Sequence, residues 1–272
     1  MTTTDALPGR EPLDFSDHVV MVTGGTRGIG RSIAESFLKA GAQVAVCGRS
    51  AVTAEDIPSV RRTAGDMRSA VAFVADVRDA QQASSLVTQT VEAFGRLDVL
   101  VNNAGGSPEL LVSDASPRFL ASIVSLNLLA PLYCAQAANS LMQEQVTGGS
   151  IINISSVSGI RPSPGTAAYG ASKAGLINLT QSLAIEWAPK VRINCVSAGM
   201  VATQAAGDHY GGDSKMAAIA ATVPLGRFGR PEDISDICLF LASPLAGYVT
   251  GTNLVAHGGG EAPAFLAAAR SH

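Results

Sequence analysis

Tyr169 and Lys173 stand four residues apart in Tyr169-Gly-Ala-Ser-Lys173, and Ser156 lies thirteen residues upstream. On a helix, side chains at i and i+4 rise from one face. A phenol beside an ammonium is a proton donor whose pKa falls below its usual value of about 10. Such a pair, with a serine hydroxyl beside it, could protonate a carbonyl oxygen. Negative charge grows on that oxygen as hydride reaches the carbon, and two donors would stabilise it. Singly, Tyr169 also reads as a core-edge tyrosine, Lys173 as a solvated helix lysine and Ser156 as a turn residue. Their joint order favours the chemistry.

A second set of residues suits a phosphate. The strand-like Val19-Val20-Met21-Val22 runs into Thr23-Gly24-Gly25-Thr26-Arg27-Gly28-Ile29-Gly30, and a helix opens at Gly28 or Ile29. Glycines there let backbone approach a pyrophosphate, whose charge the helix N-terminus stabilises. The spacing is G-x-x-x-G-x-G rather than G-x-G-x-x-G. After the second strand comes Cys47-Gly48-Arg49-Ser50, with no carboxylate for a ribose diol. Arg27 and Arg49 could fork a 2′-phosphate instead, which points to NADP(H) over NAD(H); the other reading is two surface arginines. Asp76, followed by Val77, is either an acceptor for an adenine amino group or a helix N-cap.

Elements of the right kind surround these residues. Short apolar runs at His18–Thr23, Gln43–Cys47, Val71–Ala75, Leu97–Val101, Ser150–Ile154, Arg192–Val196 and Asn253–Ala256 alternate with helix-like segments. The helices are expected at Gly28–Ala40, Asp79–Phe94, Pro117–Gln145, Ala167–Ala188 and Pro231–Ala242. Strand–helix alternation with strands apolar on both faces predicts an α/β fold, a doubly wound parallel sheet covered by helices. Residues 1–16 read as a flexible leader, 17–260 as one catalytic domain and 261–272 as a tail. The irregular, glycine-rich stretch at about 199–230 reads as a lid holding Met200, Ala205, Ala206, His209, Tyr210 and Met216.

Bulk properties narrow the classes. The 272 residues are 47% hydrophobic with a net charge of −3, enough for one large domain and without a basic tract for nucleic acid. Cys47, Cys134, Cys195 and Cys238 are scattered, which suits a reduced, cytoplasmic protein rather than a disulfide or zinc framework. No metal cluster and no membrane span are expected.

Taken together, Thr23-Gly24-x-x-x-Gly28-x-Gly30, Asp76, Asn102-Asn103-Ala104-Gly105, Asn127, Ser156, Tyr169-x-x-x-Lys173 and Gly199-Met200-Val201-Ala202-Thr203 resemble the short-chain dehydrogenases/reductases, from about Asp17 to Gly260. The resemblance implies a Rossmann-like sheet of seven strands, a nicotinamide cofactor and, commonly, a homotetramer. It implies Tyr169 as general acid/base, Lys173 lowering its pKa and holding the nicotinamide ribose, Ser156 on the substrate oxygen and Asn127 supporting a water relay. Asn103, Ala104 and Gly105 would lie beside the cofactor, with Ser50 and Val77 near its adenosine half. Gly199, Val201 and Thr203 would meet the nicotinamide.

Asn127 also has a local reading. Pro131, four residues on, has no N–H for the Asn127 carbonyl, so a proline kink there could hold a water or merely shape the helix. Two positions depart from the family pattern: Ala198 replaces the usual proline before Gly199, which would loosen that turn, and His257-Gly258-Gly259 replaces Asp-Gly-Gly. The function these residues imply is ketone/secondary alcohol interconversion. The alternatives are a 3-oxoacyl-thioester reductase and a cofactor-binding sensor without turnover. A lid poor in cations leans toward an apolar ketone, and the long helices could pair between subunits.

Overall fold

The computed structural model describes residues 13–61, 65–204 and 212–260. Seven strands form one parallel sheet: β1 (Val19–Thr23), β2 (Gln43–Gly48), β5 (Val71–Val74), β6 (Val99–Asn102), β7 (Gly149–Ser156), β8 (Val191–Ala198) and β9 (Asn253–Ala256), in the order β5-β2-β1-β6-β7-β8-β9. Alternate residues of each strand serve opposite faces. Val20 and Val22 face α1 (Gly28–Lys39) through Ile33 and Phe37, and α7 (Pro231–Ala242) through Ile234 and Cys238. Val19 and Met21 face α2 (Ala80–Phe94), α4 (Ala130–Glu144) and α5 (Ala167–Trp187) through Leu86, Cys134 and Leu183. Two apolar cores thus sandwich the sheet, as the unbroken apolar strands predict.

The strand order reverses between β1 and β6, and in such sheets ligands bind at that crevice, beyond the strands' carboxyl ends. Thr23 and Asn102 end the two strands there, and Ser156 and Ala198 end the next two. One small element escaped the sequence reading, the antiparallel hairpin β3 (Ser59–Arg61) and β4 (Met67–Ser69).

Two expectations need correction. The helix expected over Pro117–Gln145 is interrupted: α3 (Pro117–Val124) gives way to a π-turn at Ser125–Leu129 before α4 begins. Pro131 has no N–H to offer, and the ladder widens just ahead of it, with the Ala130 N–H reaching back to Ser125 O. The same rod, Pro117–Glu144, is long and apolar enough by composition to cross a membrane. Ala130, Cys134, Ala138 and Met142 pack one face of it against the sheet. Finally, the packed body starts before Asp17: Phe15 is buried, and its ring meets Phe37 edge-on at 5.0 Å. Most of the expected leader and the tail at 261–272 lie outside the described residues.

Candidate active site

The nucleotide end is made of backbone. Gly24 and Gly28 hold φ of +63° and +54°, left-handed values that suit glycine. A Cβ on Gly30 would sit 2.3 Å from Gly24 O and 2.4 Å from Asn103 Nδ2, so only glycine lets the first turn of α1 close onto the loop. Thr23 joins this loop to β6. Its Oγ1 accepts from the N–H groups of Asn103 and Ala104, both at 3.0 Å, while Asn103 Nδ2 donates to Thr23 O and Gly24 O. No side chain caps the start of α1 and its first turn carries no acid. Half-buried Thr26 and Ile29 and exposed Arg27 complete the turn. An uncapped helix start behind a glycine cradle fits a pyrophosphate.

At the adenosine side, Arg49 and Ser50 are exposed and Val77 is buried. Asp76 is not the N-cap of α2; Asp79 is, accepting from the Gln82 N–H at 2.9 Å. The Arg78 guanidinium grips the Asp76 carboxylate with Nε and Nη2. That hydrogen bond holds the Asp76 pKa below its ordinary value. Arg78 was not picked out in the sequence, although a basic residue two positions after a strand-end acid is a readable signal.

The carbonyl end is made of side chains. Lys173 is 3% exposed, and its Nζ donates to Ile154 O at 2.8 Å and lies 5.7 Å from the centre of the Tyr169 ring. Burial pulls its pKa from 10.5 down to about 8, against a smaller opposing effect of Cys195. Tyr169 is half-buried at the opening of α5. Half-buried Ser156 accepts from the Ser158 N–H at 3.1 Å, so its oxygen is anchored and its proton is left to donate.

Glycines again allow the approach. A Cβ on Gly159 would lie 2.7 Å from the Lys173 carbonyl carbon, and one on Gly170 would lie 2.8 Å from Ser158 O. These two glycines press the turn after Ser156 against α5, bringing Ser156 toward Tyr169. Sequence reasoning missed both, because neither stands in a turn signature.

Asn127 is fully buried in the π-turn, and its side chain does more than its carbonyl was expected to do. Its Oδ1 accepts from the Gly106 N–H, and its Nδ2 donates to Gly106 O and Ile123 O, all at 2.9 Å. It thereby clamps the loop after β6. A Cβ on Gly105 would meet Asn127 Oδ1 at 2.8 Å and Lys173 Nζ at 3.2 Å, so these two polar atoms converge on one point beneath Gly105.

The segment after β8 is pinned rather than loose. Ala198 continues the strand, paired with Ser156 and Ala256, and the Gly199 N–H donates to Ala256 O at 2.8 Å. Alanine supplies the regular strand end without the proline. Val201 bridges Gly229, with the Ala202 N–H on Gly229 O and the Gly229 N–H on Met200 O, both 2.8 Å. Thr203 lies against the glycine turn, its Cγ2 3.5 Å from where a Gly28 Cβ would be. The short helix α6 (Asp213–Ala220) follows. Ala205, Ala206, His209 and Tyr210 fall outside the described residues, and no metal-binding cluster occurs among the described ones.

Comparison with known proteins identifies the family. The family described as Enoyl-(Acyl carrier protein) reductase matches residues 24–261. A 3alpha-hydroxysteroid dehydrogenase of Mediterraneibacter gnavus is 37% identical over 246 residues, 90% of this chain and 97% of its own. A 3-oxoacyl-[acyl-carrier-protein] reductase of a Synechocystis species is 35% identical over 89% of this chain and 96% of its own. The structure of a short-chain type dehydrogenase/reductase from Mycobacterium marinum superposes with a TM-score of 0.81 at 32% identity, covering 93% of this chain and 98% of that one. With sequence and fold in agreement, the chain belongs to the short-chain dehydrogenase/reductase family, whose members are NAD(P)-dependent oxidoreductases acting on alcohols and ketones.

Proposed function

We infer that the protein is an NADP(H)-preferring reductase of an apolar ketone, with Tyr169 as the general acid. The observation that carries this reading is the buried Lys173 ammonium, set against the Tyr169 ring and converging with Asn127 Oδ1 beneath Gly105. The nicotinamide, when bound, supplies the hydride. As charge grows on the substrate oxygen, Tyr169 gives it a proton and Ser156 donates a hydrogen bond. Lys173 spends one of its three donors on Ile154 O. The other two are left for ribose hydroxyls or a water, and its charge favours the tyrosinate that each turnover leaves. Asn127 fixes the loop over this point and supports the water route by which the proton is replaced. The intact Ser156, Asn127, Tyr169 and Lys173 set argues against a sensor without turnover.

On the cofactor side, Thr23, Gly24, Thr26, Gly28, Ile29 and Gly30 would hold the pyrophosphate. Asn103, Ala104, Gly105, Gly199, Val201 and Thr203 would border the nicotinamide half, and Asp76, Val77 and Ser50 the adenosine. Exposed Arg27 and Arg49, with no acid after β2, support a 2′-phosphate site. The described catalytic body, from Phe15 to Gly260, would act as a homotetramer. Leu126, Leu132, Tyr133 and Leu141 on that rod are only half-buried in the single chain, which supports pairing of the rod between subunits. Four free, buried cysteines support a reducing, cytoplasmic location.

A 3-oxoacyl thioester is the second reading, favoured by the similarity to the Synechocystis enzyme. A screen of ketones and 3-oxoacyl thioesters with both cofactors, followed as nicotinamide absorbance, separates the two. Replacing Arg27 and Arg49 together by Ala should cut the NADPH/NADH ratio of kcat/KM by tenfold or more, since a charge-assisted hydrogen bond is worth about 1.5–3 kcal/mol. Turnover of the unaltered protein with NADH as fast as with NADPH would reject the cofactor preference.

A further inference from the structure

Two buried polar contacts fasten α5, the helix of Tyr169 and Lys173, to β7, the strand of Ser156. Ser155 donates from Oγ to Lys173 O at 3.0 Å. Asn153 donates from Nδ2 to Thr180 Oγ1 at 2.9 Å. Asn153 and Ser155 are two residues apart on the strand, and Lys173 and Thr180 are seven apart on the helix, so each pair lies along one face. All four residues are buried.

The rest of this seam is apolar. Leu183 and Ala184 of α5 pack into the core that holds Ile151 of β7 and Ile193 of β8, and Leu176 is fully buried between the two polar contacts along the helix. Apolar burial pulls the helix onto the sheet but is non-directional, so it tells one position along the strand from the next only weakly. A hydrogen bond does so sharply, because a buried donor that misses its acceptor keeps the full cost of its lost water.

The contact at Lys173 is the one that bears on chemistry. Three successive residues of β7 act on this end of α5. Ile154 O takes the Lys173 ammonium at 2.8 Å, Ser155 takes the Lys173 carbonyl, and Ser156 stands toward Tyr169. The Gly159 turn closes on the same carbonyl, since a Cβ there would lie 2.7 Å from its carbon. A slip of one residue along the strand is about 3.3 Å, enough to take the ammonium off Ile154 O and Tyr169 away from Ser156. Buried beneath α5, Ser155 reaches the reaction only through Lys173.

We propose that Ser155 is a positioning residue for proton transfer: its hydroxyl sets the register of α5 on β7 and so holds Lys173 and Tyr169 opposite Ser156. The contact between Asn153 and Thr180 secures the same helix away from the reacting groups, about 10 Å farther along it.

This inference rests on the reading of Tyr169 and Lys173 as the proton-transfer pair, and the test keeps the two apart. Ser155→Ala removes the hydroxyl at Lys173, and Thr180→Val removes the one two turns along. Both variants should melt earlier than the parent. Only Ser155→Ala should lower kcat on a ketone, by about tenfold or more, because an ångström of misplacement at a reacting centre costs about a hundredfold. It should also let water reach the Lys173 ammonium. The alkaline fall of reductive kcat/KM, set at about pH 8 by the buried lysine, should then move toward 10.5. The titratable groups facing that ammonium among the described residues are Tyr169 on its own helix and Cys195 on β8, both kept in the variant; β7, the π-turn and Gly105 present uncharged groups. Ser155→Cys, of similar size with a weak S–H donor, should fall between, and it carries the test if the alanine variant does not fold. An unmoved pH limb and kcat in Ser155→Ala, or the same changes in Thr180→Val, overturn the proposal and leave the reductase standing. If the intact protein reduces no ketone, the proton-transfer reading is lost, and a carbon-13 titration of the lysine side chains without cofactor decides this inference alone. Lys39, Lys173, Lys190 and Lys215 give four signals. The one absent from Lys173→Met should titrate higher in Ser155→Ala than in the parent, and an unchanged midpoint overturns the proposal.

Discussion

The nucleotide end and the carbonyl end of this site are built from different materials. At the first, the working parts are backbone N–H groups, and glycines matter for the atoms they lack: Gly30 leaves room for Gly24 O, and Gly24 and Gly28 turn the chain. At the second, the working parts are polar side chains held by their neighbours. Lys173 hangs from Ile154 O, Asn127 is locked to Gly106, and Ser156 is anchored by the Ser158 N–H. The two ends should therefore break in opposite ways. A backbone cradle fails when a methyl is added; a side-chain site fails when a polar atom is removed.

The larger effect belongs to the carbonyl end. Tyr169→Phe removes one oxygen and should lower kcat by about 10²–10⁴-fold, the usual worth of a positioned general acid. NADPH affinity, read by nucleotide fluorescence, should change little. A loss below tenfold would remove Tyr169 from the proton transfer. The converse lesion is Gly30→Ala. The added methyl meets a carbonyl oxygen and an amide, neither of which can yield freely. Overpacking of this kind costs about 1–3 kcal/mol. Reduced melting temperature and weaker NADPH binding should appear together, and a variant that binds NADPH like the parent would show that the cradle does not need this glycine.

The same contrast explains what could be read from the sequence. The cradle was legible because glycine spacing after a strand is itself the structure, a set of required φ values and close approaches. The sheet was legible because strands buried on both faces leave unbroken apolar runs. Tyr169, Lys173 and Ser156 were legible as types and spacing, but the contacts that hold them were not. Gly159 and Gly170 act through contacts with Lys173 and Ser158, fourteen and twelve residues away, and nothing local marks them. Asn127 was read through its carbonyl and Pro131, whereas its amide makes the clamp. The π-turn follows from the missing Pro131 N–H, yet whether a helix kinks or widens depends on what packs around it. Asp76 reads as either an adenine acceptor or a helix N-cap, and neither reading contains its ion pair with Arg78, which forms only once the turn folds.

The smallest effect, and the one that ties stability to chemistry, concerns Lys173. Its pKa in the folded chain is about 8, against 10.5 ordinarily. Below about pH 8 it is charged and supports proton loss from Tyr169; above, that support fades. Reductive kcat/KM should fall above about pH 8. Stability should move the other way. Between about 8 and 10.5 the unfolded chain holds the lysine proton more tightly than the folded one, so this group makes stability rise with pH. The four buried thiols, Cys47, Cys134, Cys195 and Cys238, are all raised from 9.0 by burial and act with the opposite sign as the unfolded chain loses its thiol protons around pH 9. They do so in Lys173→Met as well, so the difference between the two proteins from pH 8 to 9 isolates the lysine. There the protein should gain about 1 kcal/mol relative to Lys173→Met, measured by urea unfolding without cofactor. Flat stability across that window, with activity still falling, would assign the pH limb to another group. A rise in stability alongside the fall in activity would identify Lys173 as the group whose desolvation the fold sustains for the sake of Tyr169.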